Sequence, residues 1–444
     1  MSDTLVQLLS KKAKYFPDHT VFNFLKSGKI TDKITFLELD QRSRSLAVRI
    51  SKSVQSGQPV LLLYPPGIQF IIGFFGCLYA GVIPVPAYPP NPYKLEIDFP
   101  KLLHVLNNGK INHILTTSKM KVLLKTELIY GRLRKYSHSG ITNSEPLFKN
   151  LKWITSDRLR TKDSEKWICP DISTDDIAFI QYTSGSTTEP KGVMLSHQNL
   201  LSNLELMKNG FGLLKGEIVF SWLPPYHDMG LIGCILIPIY SNLSLYLMSP
   251  VEFVRRPLMW LELISTYKAN ISGAPNFAYE FCIKKISEQK FPLDLDLSSL
   301  RVAFSGAEPI NPEMILEFGN KFSKYGFNPD SFYPCYGLAE ATLFASGGIP
   351  GNGAVIHSFN VSNNEAVPTH NDSTGKKLVS CGDLSTIQDL KILGESGSFK
   401  NTEGQIGEIC ISGKSIFKGY LNQPEMTQNA FIESDNQKKY LKTG

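Results

Sequence analysis

The stretch IAFIQYTSGSTTEPKG, residues 177–192, decides the fold class, because an apolar segment runs directly into a loop of small polar residues. Residues 177–182 have the composition of a buried strand, and serine, threonine and glycine follow before Lys191. A loop of small residues can close its backbone N–H groups around an anion, and hydroxyls and a lysine add further donors. The stretch therefore predicts a phosphate-binding loop at the end of a buried strand.

This loop does not follow the common P-loop pattern, which is G-x-x-x-x-G-K-S/T. Pro190 stands five residues after Gly185, and Lys191 precedes its glycine instead of following one. An ordinary phosphate-hydrolysing P-loop NTPase is therefore disfavoured. A polar surface turn remains the simpler alternative, because clusters of Ser, Thr and Gly are commonly only loops.

The composition is that of an ordinary globular protein. The chain has 444 residues, of which 42% are hydrophobic and 19% are charged, enough for two or three domains with a large core. A net charge of +6 is small for this length and predicts no nucleic-acid partner. The seven cysteines include no C-x-x-C pair, which indicates reduced thiols in a cytoplasmic protein.

Residues 71–87 carry no charge, so a membrane span has to be considered. A span needs roughly 20 apolar residues. This run is shorter, and Pro84 and Pro86 interrupt it. We expect a buried helix that leads into a buried strand, and no membrane span.

The chain alternates between strand-like and helix-like segments from residue 59 to about residue 345. Strands are predicted at 59–63, 82–85, 113–117, 177–182, 218–223 and 301–305, and helices at 67–80, 197–209, 229–238 and 311–324. Such alternation predicts an α/β protein with parallel sheets flanked by helices. After about residue 350 short β-like runs predominate. The predicted division is 1–175 and 176–345 for two α/β subdomains, and 346–444 for a β-rich subdomain.

Polar motifs follow the predicted strands at several points. They are PPYHDMG at 224–230, SGAEPI at 305–310 and PCYGLAEAT at 334–342. In open α/β sheets, ligands bind beyond the carboxyl ends of the strands. These motifs and the phosphate-binding loop are therefore expected to meet in one site.

The motifs TSGSTTEPKG, LPPYHDMGLIG, FSGAEPI, YGLAEAT and GEICISG occur in this order along the chain. Together they resemble the acyl-adenylate-forming superfamily, which includes acyl-CoA synthetases, luciferases and peptide-synthetase adenylation domains. The resemblance covers essentially the whole chain. It implies the large N-terminal domain of that fold, with two parallel-rich sheets flanked by helices and a small β-barrel-like subdomain.

Within this superfamily the chain resembles the fatty acyl-AMP ligases. The similar features are VPAYPP at 85–90, APNFAYEFC at 274–282 and an extra polar segment at about 353–376. The resemblance implies that a medium- or long-chain fatty acid and ATP form acyl-AMP and pyrophosphate, and that the acyl group passes to an acyl carrier protein. In that branch the extra segment is thought to hinder the domain movement needed for transfer to CoA. One alternative is that the chain is a fatty acyl-CoA ligase and that this segment is an ordinary surface loop. Another is that the chain is a nucleotide-binding interaction module without turnover.

The resemblance also implies the cofactors, ATP and Mg²⁺, and a set of binding residues. Those for the nucleotide are Thr183, Ser184, Gly185, Ser186, Thr187, Lys191, Ser305, Gly306, Ala307, Glu308, Tyr336, Gly337, Leu338, Ala339 and Thr342. Residues 183–187 are expected to surround the β- and γ-phosphates, and Tyr336 to stack on adenine opposite residues 305–308. Lys191 either adds charge there or pairs with a loop carboxylate, and a core tyrosine is the alternative for Tyr336.

The implied catalytic residues are His227, Glu340 and Thr187. Glu340 is expected to bind Mg²⁺ beside the phosphates, since a hard cation prefers oxygen ligands. His227 is expected to donate a hydrogen bond to the reacting carboxylate or the α-phosphate, and the alternative is a structural histidine.

The acyl pocket is expected beside His227, with Met229, Ile232 and Phe277 in its wall. Each buried CH₂ group is worth roughly 0.8 kcal/mol, so a long apolar tunnel would select fatty acids over acetate. The same residues are equally suited to a plain hydrophobic core.

The sequence ends at YLKTG, residues 440–444. In the superfamily a Thr-Gly pair at this point precedes an aspartate that holds the ribose, a hinge and a small C-terminal domain with a catalytic lysine. The resemblance thus implies that this small domain is absent here. By itself the chain is then expected to bind ATP or acyl-adenylate weakly and to adenylate poorly.

Overall fold

A computed structural model describes residues 4–90, 95–129, 150–183, 189–288, 294–362, 365–369, 375–384, 389–400 and 404–444. Within these ranges the α-helices are α1 (Leu5–Tyr15), α2 (Phe36–Ile50), α3 (Ile68–Tyr79), α4 (Leu95–Asn108), α5 (Ser118–Ile129), α6 (His197–Gly210), α7 (Asp228–Gly230), α8 (Ile237–Ser241), α9 (Pro250–Arg255), α10 (Leu258–Tyr267), α11 (Asn276–Ser287), α12 (Pro312–Phe322) and α13 (Pro424–Asn429). A π-helical segment, Leu231–Leu236, joins α7 to α8. Single 3₁₀ turns lie at Thr161–Lys166, Ser323–Tyr325, Pro329–Ser331 and Ala339–Ala341.

The β-strands in the described ranges are β1 (Thr20–Lys26), β2 (Lys29–Thr35), β3 (Pro59–Leu63), β4 (Ile83–Ala87), β5 (His113–Thr116), β6 (Lys152–Thr155), β7 (Ile177–Tyr182), β8 (Gly192–Ser196), β9 (Ile218–Ser221), β10 (Ser244–Met248), β11 (Ile271–Gly273), β12 (Val302–Ser305), β13 (Phe332–Gly337), β14 (Phe344–Gly347), β15 (Ile356–Ser362), β16 (Glu365–Pro368), β17 (Lys376–Val379), β18 (Asp383–Leu384), β19 (Asp389–Leu393), β20 (Phe399–Lys400), β21 (Glu408–Ser412), β22 (Gly419–Tyr420), β23 (Phe431–Glu433) and β24 (Lys439–Lys442).

The largest sheet has nine strands in the order β18-β14-β13-β12-β11-β9-β10-β1-β2. Its neighbours from β13 through β1 pair in parallel, and only the strands at its two ends pair antiparallel. A second sheet, β4-β3-β5-β6, is parallel throughout. The predicted α/β class with parallel-rich sheets is therefore confirmed.

The N-terminal hairpin β1–β2 belongs to the largest sheet, because β1 pairs with β10 with Phe22 opposite Leu245. The predicted subdomain boundary at residue 175 thus lies between strands that share one sheet. The division into subdomains remains a prediction, and this pairing shows how closely the parts of the chain are joined.

After residue 350 the structure is mainly antiparallel. The strands β20-β19-β21-β24-β23 form a five-stranded sheet, and β16-β15-β17 form a three-stranded sheet. The latter sheet lies in the extra polar segment predicted at about 353–376, although residues 363–364 and 370–374 lie outside the described residues. A β-rich end of the chain agrees with its Gly-, Asn- and Ser-punctuated sequence.

The uncharged run at 71–87 forms most of α3, a turn and β4. The helix is buried on all sides, with Phe74, Phe75 and Tyr79 each 0% exposed. This burial explains why the run has almost no polar side chain. Among the described residues, no helix combines the length and the apolar character that crossing a membrane requires.

The predicted helix at 229–238 is interrupted, and its middle is π-helical. Pro238 has no N–H to donate, so the regular i→i−4 hydrogen bonding cannot continue through it. At the other end Gly230 packs so closely on Pro224 that an added Cβ would lie 2.0 Å from the Pro224 carbonyl oxygen. The sequence contained both residues, but the close approach of Pro224 is a tertiary contact.

Candidate functional site

A cavity of about 840 Å³ lies where β7, β12 and β13 end. This volume is within the usual range of small-molecule sites. The predicted site residues in its wall are Thr183, His227, Met229, Gly306, Ala307, Tyr336, Gly337, Leu338, Ala339 and Glu340. The structure therefore brings the three polar motifs together with Thr183, the first residue of the predicted phosphate-binding loop. Their individual roles remain predictions.

Ser184, Gly185, Ser186 and Thr187 lie outside the described residues. The two ends of their loop are described, and they are joined by a hydrogen bond from the Thr183 N–H to the Lys191 carbonyl oxygen at 3.0 Å. This bond continues the antiparallel pairing of β7 with β8. The loop therefore leaves and re-enters the sheet at neighbouring positions, as a hairpin.

Several predicted residues lie outside the cavity wall: Lys191, Ile232, Phe277, Ser305, Glu308 and Thr342. Ile232 and Ser305 are fully buried in the core. Phe277 is 39% exposed and packs edge-on against Trp222 and Phe281. Its position is that of a surface aromatic residue beside the site.

The side chains of Glu308 and Thr342 each form a hydrogen bond with another part of the protein. The Glu308 carboxylate accepts from the Phe277 N–H at 3.2 Å, in the first turn of α11. The buried Thr342 hydroxyl donates to the Ser415 carbonyl oxygen at 2.5 Å. Thr342 has a φ of +72°, an uncommon backbone conformation for a β-branched residue, so this turn is tightly constrained.

His227 begins α7, and its ring is held by its neighbour. Nδ1 lies 2.6 Å from Oδ1 of Asp228, and the Met229 N–H donates to the same carboxylate oxygen at 2.7 Å. Asp228 therefore orients the imidazole, and His227 is the N-cap residue of the short helix. With Nδ1–H donating to Asp228, the ring atom left for a ligand is Nε2.

The pKa of His227 results from two opposing effects. Burial lowers it, but the hydrogen bond and negative charge of Asp228 outweigh burial, so the pKa of His227 lies above its ordinary value. A raised pKa increases the fraction of imidazolium near neutral pH. The imidazolium form can donate from Nε2 to an anionic ligand while Nδ1–H stays on Asp228.

Glu340 is in the turn Ala339–Ala341 and is contacted from a distant part of the chain. The Tyr420 hydroxyl donates to Glu340 Oε1 at 2.7 Å. Within the part of the chain that the structure describes, no hydrogen bond to Glu340 Oε2 is present. The Nζ of Lys191 lies over the ring of this tyrosine, 5.5 Å from the ring centroid.

This carboxylate could receive a metal ion only together with other ligands. Among the described residues, no group of three or more His, Cys, Asp or Glu side chains could hold a metal ion. Mg²⁺, however, commonly keeps several waters and binds through one or two carboxylates and substrate phosphates. A single cavity-lining glutamate fits this pattern if residues 183–187 bind the phosphates as predicted.

Tyr336 and Gly337 form the end of β13 at the cavity wall. Burial raises the pKa of Tyr336, and a hydrogen bond with the Thr443 side chain opposes this rise. An added Cβ at Gly337 would lie 1.7 Å from the Leu343 carbonyl oxygen. The glycine is therefore required by the chain itself, in addition to any approach of a ligand.

One end of the cavity is apolar. Its wall there consists of Met207, Phe211, Met229, Gly233, Phe304, Leu343 and Phe344. These residues come from α6, the α7 to π-helical segment, β12 and the start of β14. Of the residues predicted for the acyl pocket, His227 and Met229 lie in the cavity wall, whereas Ile232 and Phe277 do not. Most of the apolar wall comes from other elements, and its use for an acyl chain remains a prediction.

Several residues of the wall were not predicted from the sequence, including Gln181, Tyr88 and Tyr226. Gln181 is 4% exposed, and its Nε2 donates to the Tyr226 carbonyl oxygen at 3.0 Å. Its Oε1 is buried and has no hydrogen-bond partner among the residues that the structure describes. A glutamine inside an otherwise apolar strand, directly before the loop, was the available signal for this position.

Tyr88 belongs to the motif VPAYPP and packs edge-on against Tyr226 at 4.9 Å between ring centroids. The motif therefore contributes a side chain to the cavity wall, next to the turn that carries His227. The helix α4 adds Asp98, Leu102 and Val105 on the same side. The sheet β4-β3-β5-β6 and the helix α4 thus supply a part of the cavity wall that the sequence did not predict.

Residues 9–421 match the family described as AMP-binding enzyme. The medium-chain-fatty-acid–acyl-carrier-protein ligase JamA of Moorena producens is 37% identical over 99% of this chain and 74% of its own length. The ligase TtuA of Teredinibacter turnerae, which has the same description, is 32% identical over 99% of this chain and 74% of its own length.

A solved structure is also similar over nearly the whole chain. It is the fatty acyl-adenylate ligase of Legionella pneumophila in complex with acyl adenylate and pyrophosphate, with a TM-score of 0.87 and 38% identity. The match covers 99% of this chain and 74% of that chain. The resemblance seen in the motifs is thereby confirmed, and the chain belongs to the AMP-binding enzyme family.

Proposed function

We propose that the protein activates a medium- or long-chain fatty acid with ATP, forming fatty acyl-AMP and pyrophosphate, for transfer to the phosphopantetheine arm of an acyl carrier protein. The observation that carries this proposal is the lining of the cavity. Thr183 at the start of the hairpin, Glu340 and Tyr336 line it together with a group of apolar side chains. His227 lies in the same wall, where a fatty acid carboxylate would meet the nucleotide.

In the proposed reaction a carboxylate oxygen of the fatty acid attacks the α-phosphorus of ATP. A new P–O bond forms, the bond from the α-phosphorus to the bridging oxygen breaks, and pyrophosphate leaves with that electron pair. Two anionic groups must approach each other, so the protein contributes mainly positioning and neutralisation of charge. The imidazolium of His227 would donate from Nε2 to the carboxylate or the α-phosphate.

Mg²⁺ would supply charge neutralisation at the phosphates when it is bound. Glu340 is the residue that would hold it, with phosphate oxygens and water as the remaining ligands. The phosphates themselves would be bound by backbone N–H groups and hydroxyls of residues 183–187, with Lys191 in a supporting position. Tyr336 would stack on adenine at the end of β13.

The apolar end of the cavity would receive the acyl chain. Burial of each CH₂ group contributes roughly 0.8 kcal/mol, which is about a fourfold change in affinity. Several such groups together would favour fatty acids over acetate by orders of magnitude. This preference follows from area alone and does not depend on a specific polar contact.

The identity of the acyl acceptor separates this function from that of a fatty acyl-CoA ligase. The test is mass spectrometry of the products formed from dodecanoate, ATP, Mg²⁺ and CoA. We expect acyl-AMP and pyrophosphate without acyl-CoA, and acyl transfer when a phosphopantetheinylated carrier protein is added. Abundant acyl-CoA would instead identify a CoA ligase, and ATP binding without any acyl-AMP would identify a binding module.

A further inference from the structure

We propose that Tyr420 is a positioning residue for this reaction, which holds the Glu340 carboxylate in the orientation that receives the metal ion and the nucleotide phosphates. The proposal rests on the function proposed above. Tyr420 lies 80 residues from Glu340 along the chain, and its hydroxyl donates to Glu340 Oε1 at 2.7 Å. The other carboxylate oxygen is then left for the cation.

The backbone of Glu340 is bound by the same segment that carries the tyrosine. The Phe417 N–H donates to the Glu340 carbonyl oxygen at 2.8 Å. The glutamate is thus contacted twice, once at its main chain and once at its carboxylate, by residues that lie close together in the sequence. Because both the main chain and the carboxylate of Glu340 are held, the side chain has little freedom to rotate, which pre-organises it for a ligand.

Tyr420 is itself held firmly. It forms β22 with Gly419 and pairs with Val193 of β8, and its N–H donates to Thr427 Oγ1 at 2.9 Å. Its ring packs edge-on against Phe417 at 4.9 Å between centroids, and only 9% of the residue is exposed. The hydroxyl is therefore presented by a fixed scaffold.

The strand that carries this pairing comes directly after the phosphate-binding loop. Gly192 and Val193 begin β8, and Lys191 contacts the tyrosine ring with its Nζ 5.5 Å from the centroid. A cation near a ring face is attracted by the π electrons. One tyrosine therefore joins the exit of the phosphate-binding loop to the glutamate that would hold the metal ion.

The tyrosine hydroxyl remains a donor at physiological pH. A tyrosine hydroxyl ordinarily keeps its proton at neutral pH. An ionised phenolate beside the glutamate would repel it. The neutral hydroxyl donates one hydrogen bond and neutralises no charge, so the full negative charge of Glu340 remains available to a cation.

The test removes only the hydroxyl, in Tyr420→Phe, and compares it with Tyr440→Phe. Tyr440 is the matched control because it is also buried and also donates to a carboxylate, Asp389 Oδ2 at 2.5 Å, in the five-stranded sheet outside the cavity wall. The measurement is equilibrium binding of ATP to the purified protein by calorimetry at increasing Mg²⁺ concentration. Thermal unfolding of both variants shows whether either substitution destabilises the fold.

For Tyr420→Phe we expect the Mg²⁺ concentration at half-maximal ATP binding to rise about tenfold, the lower end of the effect of losing a group that orients a metal ligand. ATP binding without metal should be unchanged, and Tyr440→Phe should require the wild-type Mg²⁺ concentration. A comparable rise in Tyr440→Phe would show that general destabilisation causes the effect, and would overturn the proposal.

A variant of the glutamate separates failure of this inference from failure of the proposed function. If Glu340→Gln weakens Mg²⁺-dependent ATP binding but Tyr420→Phe does not, the positioning role of Tyr420 is wrong and the metal site stands. If ATP binding by the wild-type protein is independent of Mg²⁺ and Glu340→Gln has no effect, the metal site is wrong, and with it both proposals about Glu340.

Discussion

At the scale of single residues, the pair His227–Asp228 shows how a neighbouring side chain sets the chemistry of an imidazole. His227 is the N-cap residue of a short helix, and its Nδ1 lies 2.6 Å from the Asp228 carboxylate. Burial lowers the pKa of the imidazole and Asp228 raises it, with a net rise. The protonated, donating form of His227 thus depends on one carboxylate.

The substitution Asp228→Asn should therefore lower the pKa of His227, because burial would then act without an opposing charge. The measurement is an NMR titration of the His227 imidazole in both proteins. The control is Asp175→Asn, which removes an exposed carboxylate that pairs with Lys418. An unchanged or higher pKa of His227 in Asp228→Asn would contradict the assignment of Asp228 as the group that raises it.

At the scale of secondary structure, the π-helical segment Leu231–Leu236 presents a glycine to the apolar end of the cavity. An added Cβ at Gly233 would lie 3.1 Å from Leu343 Cδ2 and 3.7 Å from Met207 Cε. Both are ends of flexible side chains, so a small addition can be accommodated. A large side chain would occupy the space that we assign to the acyl chain.

Gly233→Leu should shift the preference of the protein towards shorter fatty acids. Each CH₂ group that is excluded from the cavity costs roughly 0.8 kcal/mol of binding. The measurement is a series of KM values for acyl-AMP formation with acids of increasing length. Gly348→Leu is the control, since an added Cβ there meets open space. An equal rise in KM for short and long acids would show that this part of the cavity does not bind the acyl chain.

The three-stranded sheet β16-β15-β17 is the element on which the choice of acceptor depends in our proposal. Val379 packs against the main core, and the Ala366 N–H of β16 donates to the Gly404 carbonyl oxygen at 2.7 Å. If the sheet hinders transfer to CoA, replacing residues 353–376 with a short flexible linker should produce acyl-CoA from CoA. ATP binding by the same variant is the control for folding, and continued absence of acyl-CoA would place the block elsewhere.

At the scale of the whole molecule, one buried histidine connects the helix α1 to the helix that follows the hairpin β7–β8. The N–H of Leu5 in α1 donates to His197 Nδ1 at 3.2 Å, and His197 is 2% exposed at the start of α6. Burial lowers the pKa of His197 to about 4, although the charge of Asp176 opposes this effect. The folded protein therefore holds this imidazole in its neutral form.

The stability of the fold should consequently fall as the pH falls from about 6.5 to about 4. In this interval the unfolded chain takes up a proton at His197 and the folded protein does not, so protonation favours unfolding. A shift of this size corresponds to a loss on the order of 3 kcal/mol in the free energy of unfolding. His197→Asn retains an acceptor for Leu5 and should make unfolding less dependent on pH in denaturant titrations. An identical pH dependence would exclude His197 as the titrating group.

The sequence by itself determined the class of the fold and the polar motifs that supply Thr183, His227, Tyr336 and Glu340 to the cavity wall. Strand and helix periodicity predicted elements such as Ile177–Tyr182 and Pro59–Leu63 with correct bounds. These features are local, because a buried strand needs apolar residues and an anion-binding loop needs small ones. The order of the motifs was sufficient to predict the family and the reaction.

The tertiary structure decided which parts of the chain meet. The contact of Tyr420 with Glu340, the pairing of β1 with β10 and the mixed origin of the apolar wall all join residues far apart in the sequence. A side chain's own neighbours do not reveal such contacts, because the pairing of strands and the packing of helices depend on the whole core. For the same reason Ile232, Ser305 and Thr342 proved to be buried outside the cavity wall, although their motifs lie at the site.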